Sequence, residues 1–215
     1  MNPVQYGAPC QALVDSFNAR EPEQKDHKYW NDPSVDLVRA EIKDHYIAEQ
    51  NRRCCYCNRE YPTNNKAVWD GEHIIAKSLA PHIMFEPRNL AASCKDCNIA
   101  KGEDEVRVNP NRKAFPDQSQ QYIIVHPHFD DYNDHIRWYG DVVRPLSAKG
   151  GQLVGMCKLW RFGVAKAGVE VSPPNPLVDG MIGVMMDPQA DPLTKAVAIE
   201  GYKAYVRERA QKAPD

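Results

Sequence analysis

The clearest helical pattern in the first third of the chain is Val35, Val38, Ile42 and Tyr46. These apolar positions step by three or four residues and share one stripe of an amphipathic helix. Asp32-Pro33 just before them supplies an N-cap acceptor and a residue suited to the first helical turn. The sequence therefore predicts a helix from 33 to about 51, delivering the chain into Cys54. Residues 1–31 show only weak periodicity and read as an arm that packs late or docks on a partner. After the helix, 67–72 and 89–93 read as short strands, and 95 to about 104 as a short helix. Residues 107–121 are looser, 122–125 read as a buried strand, 135–143 as a hairpin strand and 152–167 as a helix. Three prolines within 171–176 mark a loop or linker. Asp191-Pro192 opens a terminal helix to about residue 211. The mixture predicts an α+β fold in three parts: an N-terminal arm and helix (1–50), a core (51–106) and a C-terminal α/β extension (107–215) packed on the core or on a partner.

Composition keeps this picture within ordinary globular proteins. Of 215 residues, 42% are hydrophobic and 26% charged, enough for a core without disulfides. The longest apolar run, 180–186, is far below the roughly 20 residues that span a bilayer. The opening Met1-Asn2-Pro3-Val4-Gln5 is not a basic-then-apolar leader, so the expectation is a cytoplasmic protein with no membrane partner. Net charge is −2 but uneven: −4 over 1–50, +3 over 51–115 and −1 over 116–215. Only the middle third offers phosphate a positive surface. The excess is too small for tight non-specific DNA binding by this chain alone.

Candidate chemistry begins with cysteine. Seven cysteines without a leader argue against a disulfide framework. Cys54-x-x-Cys57 and Cys94-x-x-Cys97 form two matched pairs separated by 36 residues. In a reducing compartment that reads as a four-thiolate structural zinc site. Buried free thiols or a redox pair are the blander alternatives. Cys55 could replace Cys54, although Cys55-x-Cys57 is a tighter spacing. Cys10 and Cys157 read as core or surface thiols.

Between the pairs lies Trp69-Asp70-Gly71-Glu72-His73-Ile74-Ile75-Ala76-Lys77-Ser78, then Asn89-Leu90, then Asn98 directly after Cys97, then Lys101-Gly102. In this order the segment from 54 to about 105 resembles the HNH endonuclease family, whose core is the ββα-metal finger. The resemblance implies His73 as general base, Asn89 as the brace that helps orient it, and Asn98 at the third position of an H-N-N variant. It also implies Glu72, where aspartate is commoner, as a metal ligand beside Asn98, and the four cysteines as the structural zinc site. The segment after the core, around His126, Pro127, Asp130 and His135, loosely resembles HNH proteins of bacterial anti-phage systems. These include the Septu type, whose nuclease works with an ATPase subunit.

The residues support the same chemistry on their own terms. Phosphodiester hydrolysis needs a base for water and a cation for developing charge. A histidine with pKa near 6.5 can accept a proton at neutral pH. A carboxylate and an amide oxygen suit magnesium or manganese, whereas four thiolates suit zinc, so two chemically different metal sites are expected. Lys77 and Lys101 are candidate contacts to substrate phosphate. Glu72 and His73 are neighbours and would face opposite sides of a flat strand, so the strand is expected to bend or end there, with Gly71 making a departure cheap. The segment 126–135 lacks the glycine and closing glutamate of a calcium loop and reads as a structured turn. The leading reading is a metal-dependent endonuclease acting on nucleic acid, DNA in the first place. The alternatives are a non-catalytic zinc module that binds nucleic acid or protein, and a nuclease subunit held silent until a partner engages.

Overall fold

The computed structural model describes residues 1–166 and 175–211. Within it the chain divides after Lys166 into two compact units. The first begins with helix α1, Ala8–Asn18, and after a series of 3-10 turns reaches α2, Asp36–Glu49. Strands β1, Trp69–His73, and β2, Leu90–Cys94, pair antiparallel, with Trp69 opposite Cys94 and His73 opposite Leu90. Helix α3, Lys95–Lys101, follows β2 without a gap and ends at Gly102, whose positive φ of 55° suits glycine. One-turn helix α4, Tyr132–His135, leads into the hairpin of β3, Ile136–Tyr139, and β4, Val142–Pro145. Helices α5, Ala148–Met156, and α6, Arg161–Lys166, close the unit. The fold is α+β, as predicted.

Asp32 does cap a helical start: its carboxylate accepts from the Ser34 N–H, opening the 3-10 turn that runs into α2. Val38, Ile42 and Tyr46 are buried along one stripe of that helix, which packs on both β1 and β2.

Residues 1–31 pack within the first unit. Cys10, Val14 and Phe17 are spaced by four and three and form the buried stripe of α1. Phe17 stacks on Tyr29 with ring centroids 5.2 Å apart and meets Phe85 edge-on at the same separation. Full burial of one such ring contributes roughly 1.5–3 kcal/mol. The Val4 N–H donates to the Tyr46 hydroxyl, which donates to the Pro87 carbonyl, so the N-terminus is tied to α2 and to the approach to β2.

Two expectations need correction. Tyr122, Ile124 and Val125 are buried, but 122–125 form no strand; Tyr122 makes a single bridge to Arg107. The helix expected over 152–167 is two helices, α5 and α6, separated by a turn with Lys158 at φ 49°. Gly150 is required in α5, because a Cβ there would lie 2.0 Å from the His135 carbonyl oxygen. Residues 107–166 belong to the same unit as the 51–106 core.

The second unit holds α7, Pro176–Met186, and α8, Pro192–Gln211, which pair with each other. Asp191 accepts from the Leu193 and Thr194 N–H groups, so the expected terminal helix starts where the sequence placed it. Most of the proline-rich loop expected at 171–176 lies outside the described residues.

The segment 126–135 is a structured turn. The Asp130 carboxylate accepts from the His126 N–H at 2.7 Å and from Lys149 at 2.9 Å. The His126 ring is fully buried, stacked on Phe129 with centroids 4.3 Å apart. Burial holds its pKa well below the usual 6.5, with neighbouring His128 adding to the shift. The unfolded chain therefore binds more protons than the folded one below pH 6.5, and stability falls as pH falls through that value. His73 and His128, also depressed by burial, act with the same sign. The expected result is a urea midpoint that drops between pH 7 and pH 5. His126→Phe should flatten that slope by up to about 1.4 kcal/mol per pH unit; an unchanged slope would show that His126 titrates alike in both states.

Candidate metal and hydrolytic site

The site is built on the β1–β2–α3 unit and its cysteine clamp. Cys54 and Cys57 come from the turn after α2, Cys94 ends β2 and Cys97 lies in α3. All four are buried, and their sulfurs lie within 4.8 Å of one another. A tetrahedral zinc site with 2.3 Å arms has edges of about 3.8 Å, so the cluster fits a zinc ion. Its surroundings offset thiolate charge: Cys54 Sγ accepts from the Tyr56 and Cys94 N–H groups, and Arg161 donates to Cys97 Sγ at 3.2 Å. Cys55 is not part of the cluster. Cys10 is buried in α1, and Cys157 is buried against the cluster, where Cys97 is its hydrogen-bond partner.

On the same unit lies a cleft of about 460 Å³. Glu72, His73, Lys77 and Asn98 all line it, as do Asp70 and Trp30. The structure thus gathers four of the sequence-selected residues at one cavity. Strand β1 ends at His73 and stays paired through Gly71, so the departure falls after the histidine and not at the glycine.

His73 is nearly buried. Its Nε2 lies 3.1 Å from the Met84 carbonyl oxygen, and its ring meets Trp30 edge-on at 4.4 Å. A carbonyl only accepts, so Nε2 carries the proton and Nδ1 holds the free lone pair. Burial, reinforced by the positive charge of Lys77, pulls the pKa down to about 3. The ring is neutral at any cellular pH.

Asn89 is fully buried. Its Oδ1 accepts from the Ile75 N–H at 2.8 Å, and its Nδ2 donates to the Ile75 carbonyl at 3.2 Å. It therefore closes the loop between the strands immediately after His73.

Glu72 and Lys101 are partners. Lys101 Nζ lies 2.9 Å from Glu72 Oε1, which also accepts from the Tyr56 hydroxyl at 2.8 Å. Both side chains are almost wholly buried. Burial raises the Glu72 pKa, while Lys101 and Tyr56 oppose the rise. The Lys101 ammonium, read from sequence as a phosphate contact, sits inside the protein. It faces Glu72 and the His73 carbonyl.

Several cleft residues escaped the sequence reading. Asp70 lies two positions before Glu72 and so on its face of the strand, a period-two signal that was available. Lys43 and Arg39 come from the polar side of α2, and Trp30 from a segment without periodicity, so none carried a local signal. Glu72, Asn98 and Asp70 offer oxygen donors of the type hard cations take.

The chain is distantly similar to Septu protein PtuB of Bacillus thuringiensis, with 25% identity over 136 residues, covering 63% of this chain and 45% of that protein. It is also similar to protein ninG of Escherichia phage 933W and of Enterobacteria phage VT2-Sa. Each is 26% identical over 135 residues, covering 63% of this chain and 61% of the phage protein. The matches therefore span about half to three fifths of these relatives. No protein-family profile and no solved structure matches the chain. No helix among the described residues is long and apolar enough to cross a membrane.

Proposed function

We propose that this protein is a metal-dependent endonuclease of the HNH type, hydrolysing phosphodiester bonds in nucleic acid, with DNA as the first substrate to test. The observation that carries the reading is the convergence of His73, Glu72 and Asn98 on one cleft, beside a four-cysteine clamp. His73 Nδ1 is the base: it takes a proton from water as the water oxygen bonds to phosphorus. The bond to the 3′ oxygen then breaks, that oxygen takes a proton from solvent, and the ends left are 5′-phosphate and 3′-hydroxyl. Asn89 holds the loop that fixes the imidazole. Glu72 and Asn98 would hold magnesium or manganese through their side-chain oxygens, and the ion would offset charge developing on the phosphoryl group. Lys101 is assigned as the buried counter-ion of Glu72, and Lys77 as the phosphate contact. The similarity to Septu protein PtuB supports a role in anti-phage defence. The sequence resemblance adds an ATPase subunit as candidate partner and a cytoplasmic setting.

The test is incubation with supercoiled plasmid, single-stranded DNA and RNA, with magnesium, with manganese and with chelator. Nicking that requires a divalent cation is expected. No cleavage of any substrate, alone or with co-expressed neighbouring subunits, would favour a non-catalytic zinc module.

A further inference from the structure

One acidic group in the cleft has no task in the scheme above. Asp70 Oδ1 accepts from Lys95 Nζ at 2.9 Å, and Oδ2 accepts from Asn98 Nδ2 at 2.9 Å. Lys95 and Asn98 are three residues apart on α3, so one face of that helix presents both to β1. Ion-paired with Lys95, the Asp70 carboxylate has no proton to donate and can only accept hydrogen bonds. It therefore meets the amide at its NH2 end. The carboxamide is planar, with its oxygen on the other side of the amide carbon. Fixing Nδ2 on Asp70 fixes where Oδ1 points.

We infer that Asp70 is a positioning residue, locking the Asn98 side chain so that Oδ1, not the NH2 group, is presented to the divalent cation of the cleft. The inference rests on the nuclease reading, because it assigns Asn98 to that cation. An unrestrained amide can rotate end for end at small steric cost, and the flipped form turns N–H dipoles toward a cation. A carboxylate at position 98 would need no such lock, since its two oxygens are equivalent.

That equivalence supplies the test. Manganese binding is measured by the electron paramagnetic resonance signal of free Mn²⁺ for the full chain, Asp70→Asn, Asn98→Asp and the double variant. Asp70→Asn has the shape of the original side chain but can donate to Asn98 Oδ1, which releases the lock. The expected loss is about 10–100-fold in Mn²⁺ affinity, the usual effect of removing a group that orients a ligand. Zinc content and melting temperature should stay at wild-type values. In the Asn98→Asp background the same Asp70→Asn change should cost no affinity. Asp70→Glu, which keeps an ionised acceptor, should recover most of the binding. Should Asp70→Asn lose zinc, Asp70→Ser provides the same comparison.

An equal loss in both backgrounds would mean that Asp70 acts by charge or as a ligand, and would overturn the inference. So would wild-type affinity in Asp70→Asn; if the wild type still nicks plasmid in a metal-dependent way, the nuclease reading survives that result. Absence of Mn²⁺ binding by the wild type would overturn both.

Discussion

His73→Ala is expected to lower cleavage by about 10²–10⁴-fold, the usual contribution of a positioned general base, equivalent to about 2.7–5.5 kcal/mol in the barrier. Zinc content and Mn²⁺ affinity are expected to be unchanged, because the imidazole is assigned to neither metal. The geometry adds a sharper expectation for pH. A histidine at its ordinary pKa would lose activity as pH falls through about 6.5. Burial and the nearby Lys77 hold His73 near 3, with Nε2 committed to the Met84 carbonyl. A bound cation would lower the value further, since it repels the protonated ring. The His73-dependent part of the rate is therefore expected to show no acid limb near 6.5. The check is single-turnover cleavage by wild type and His73→Ala from pH 5 to 8, at saturating metal. Equal rates for the two proteins would remove His73 from the chemistry. A limb near 6.5 that disappears with the alanine would show that the ring is far more exposed in the working enzyme than in this structure.

The parts of this site that were legible in sequence are those fixed by short spacing or by local chemistry. Two residues between cysteines bring both sulfurs to one point, and the structure places all four together. Asn98 directly follows Cys97 on a helix, so one residue faces the clamp while the next faces the cleft. The interior was harder to read. Lys101 lies three residues beyond Asn98 and looks like a free cation on paper. Its destination depends on Glu72 and Tyr56, which arrive from two other segments to form a buried pair. A lysine is rarely buried unless it is paired, and the pairing is tertiary. Trp30 shows the same limit. The edge-on contact with His73 needs the 3-10 turn that carries Trp30 to lie against β1, and no spacing within 1–31 announces where that segment lies. In α1 the spacing of Cys10, Val14 and Phe17 was visible. Polar neighbours diluted it, and a helix of 11 residues gains its stability from packing more than from its own pattern.

Loss of zinc should unfold the first unit. Structural four-ligand zinc sites contribute on the order of 10–16 kcal/mol of binding free energy to folding, as much as or more than the roughly 5–15 kcal/mol that a whole domain retains. Here the cluster joins the end of α2, the end of β2 and the first turns of α3. It closes the loop that carries β1, His73 and Asn89. Without the ion, four thiols would be left buried together, with Arg161 directed at Cys97. Cys94→Ser and Cys97→Ser, or chelation of the wild type under reducing conditions, should give protein with less than one equivalent of zinc and no cooperative thermal transition for this unit. Cys10→Ser and Cys55→Ser should keep full zinc content, since neither sulfur belongs to the cluster. The measurements are zinc by atomic absorption and unfolding by near-ultraviolet circular dichroism. A zinc-free variant that still melted cooperatively within a few degrees of the wild type would mean that the hydrophobic core, with Tyr46, Trp69 and Ile42 buried around β1 and α2, supports the fold unaided. The cluster would then be an occupant of the fold and not its clamp.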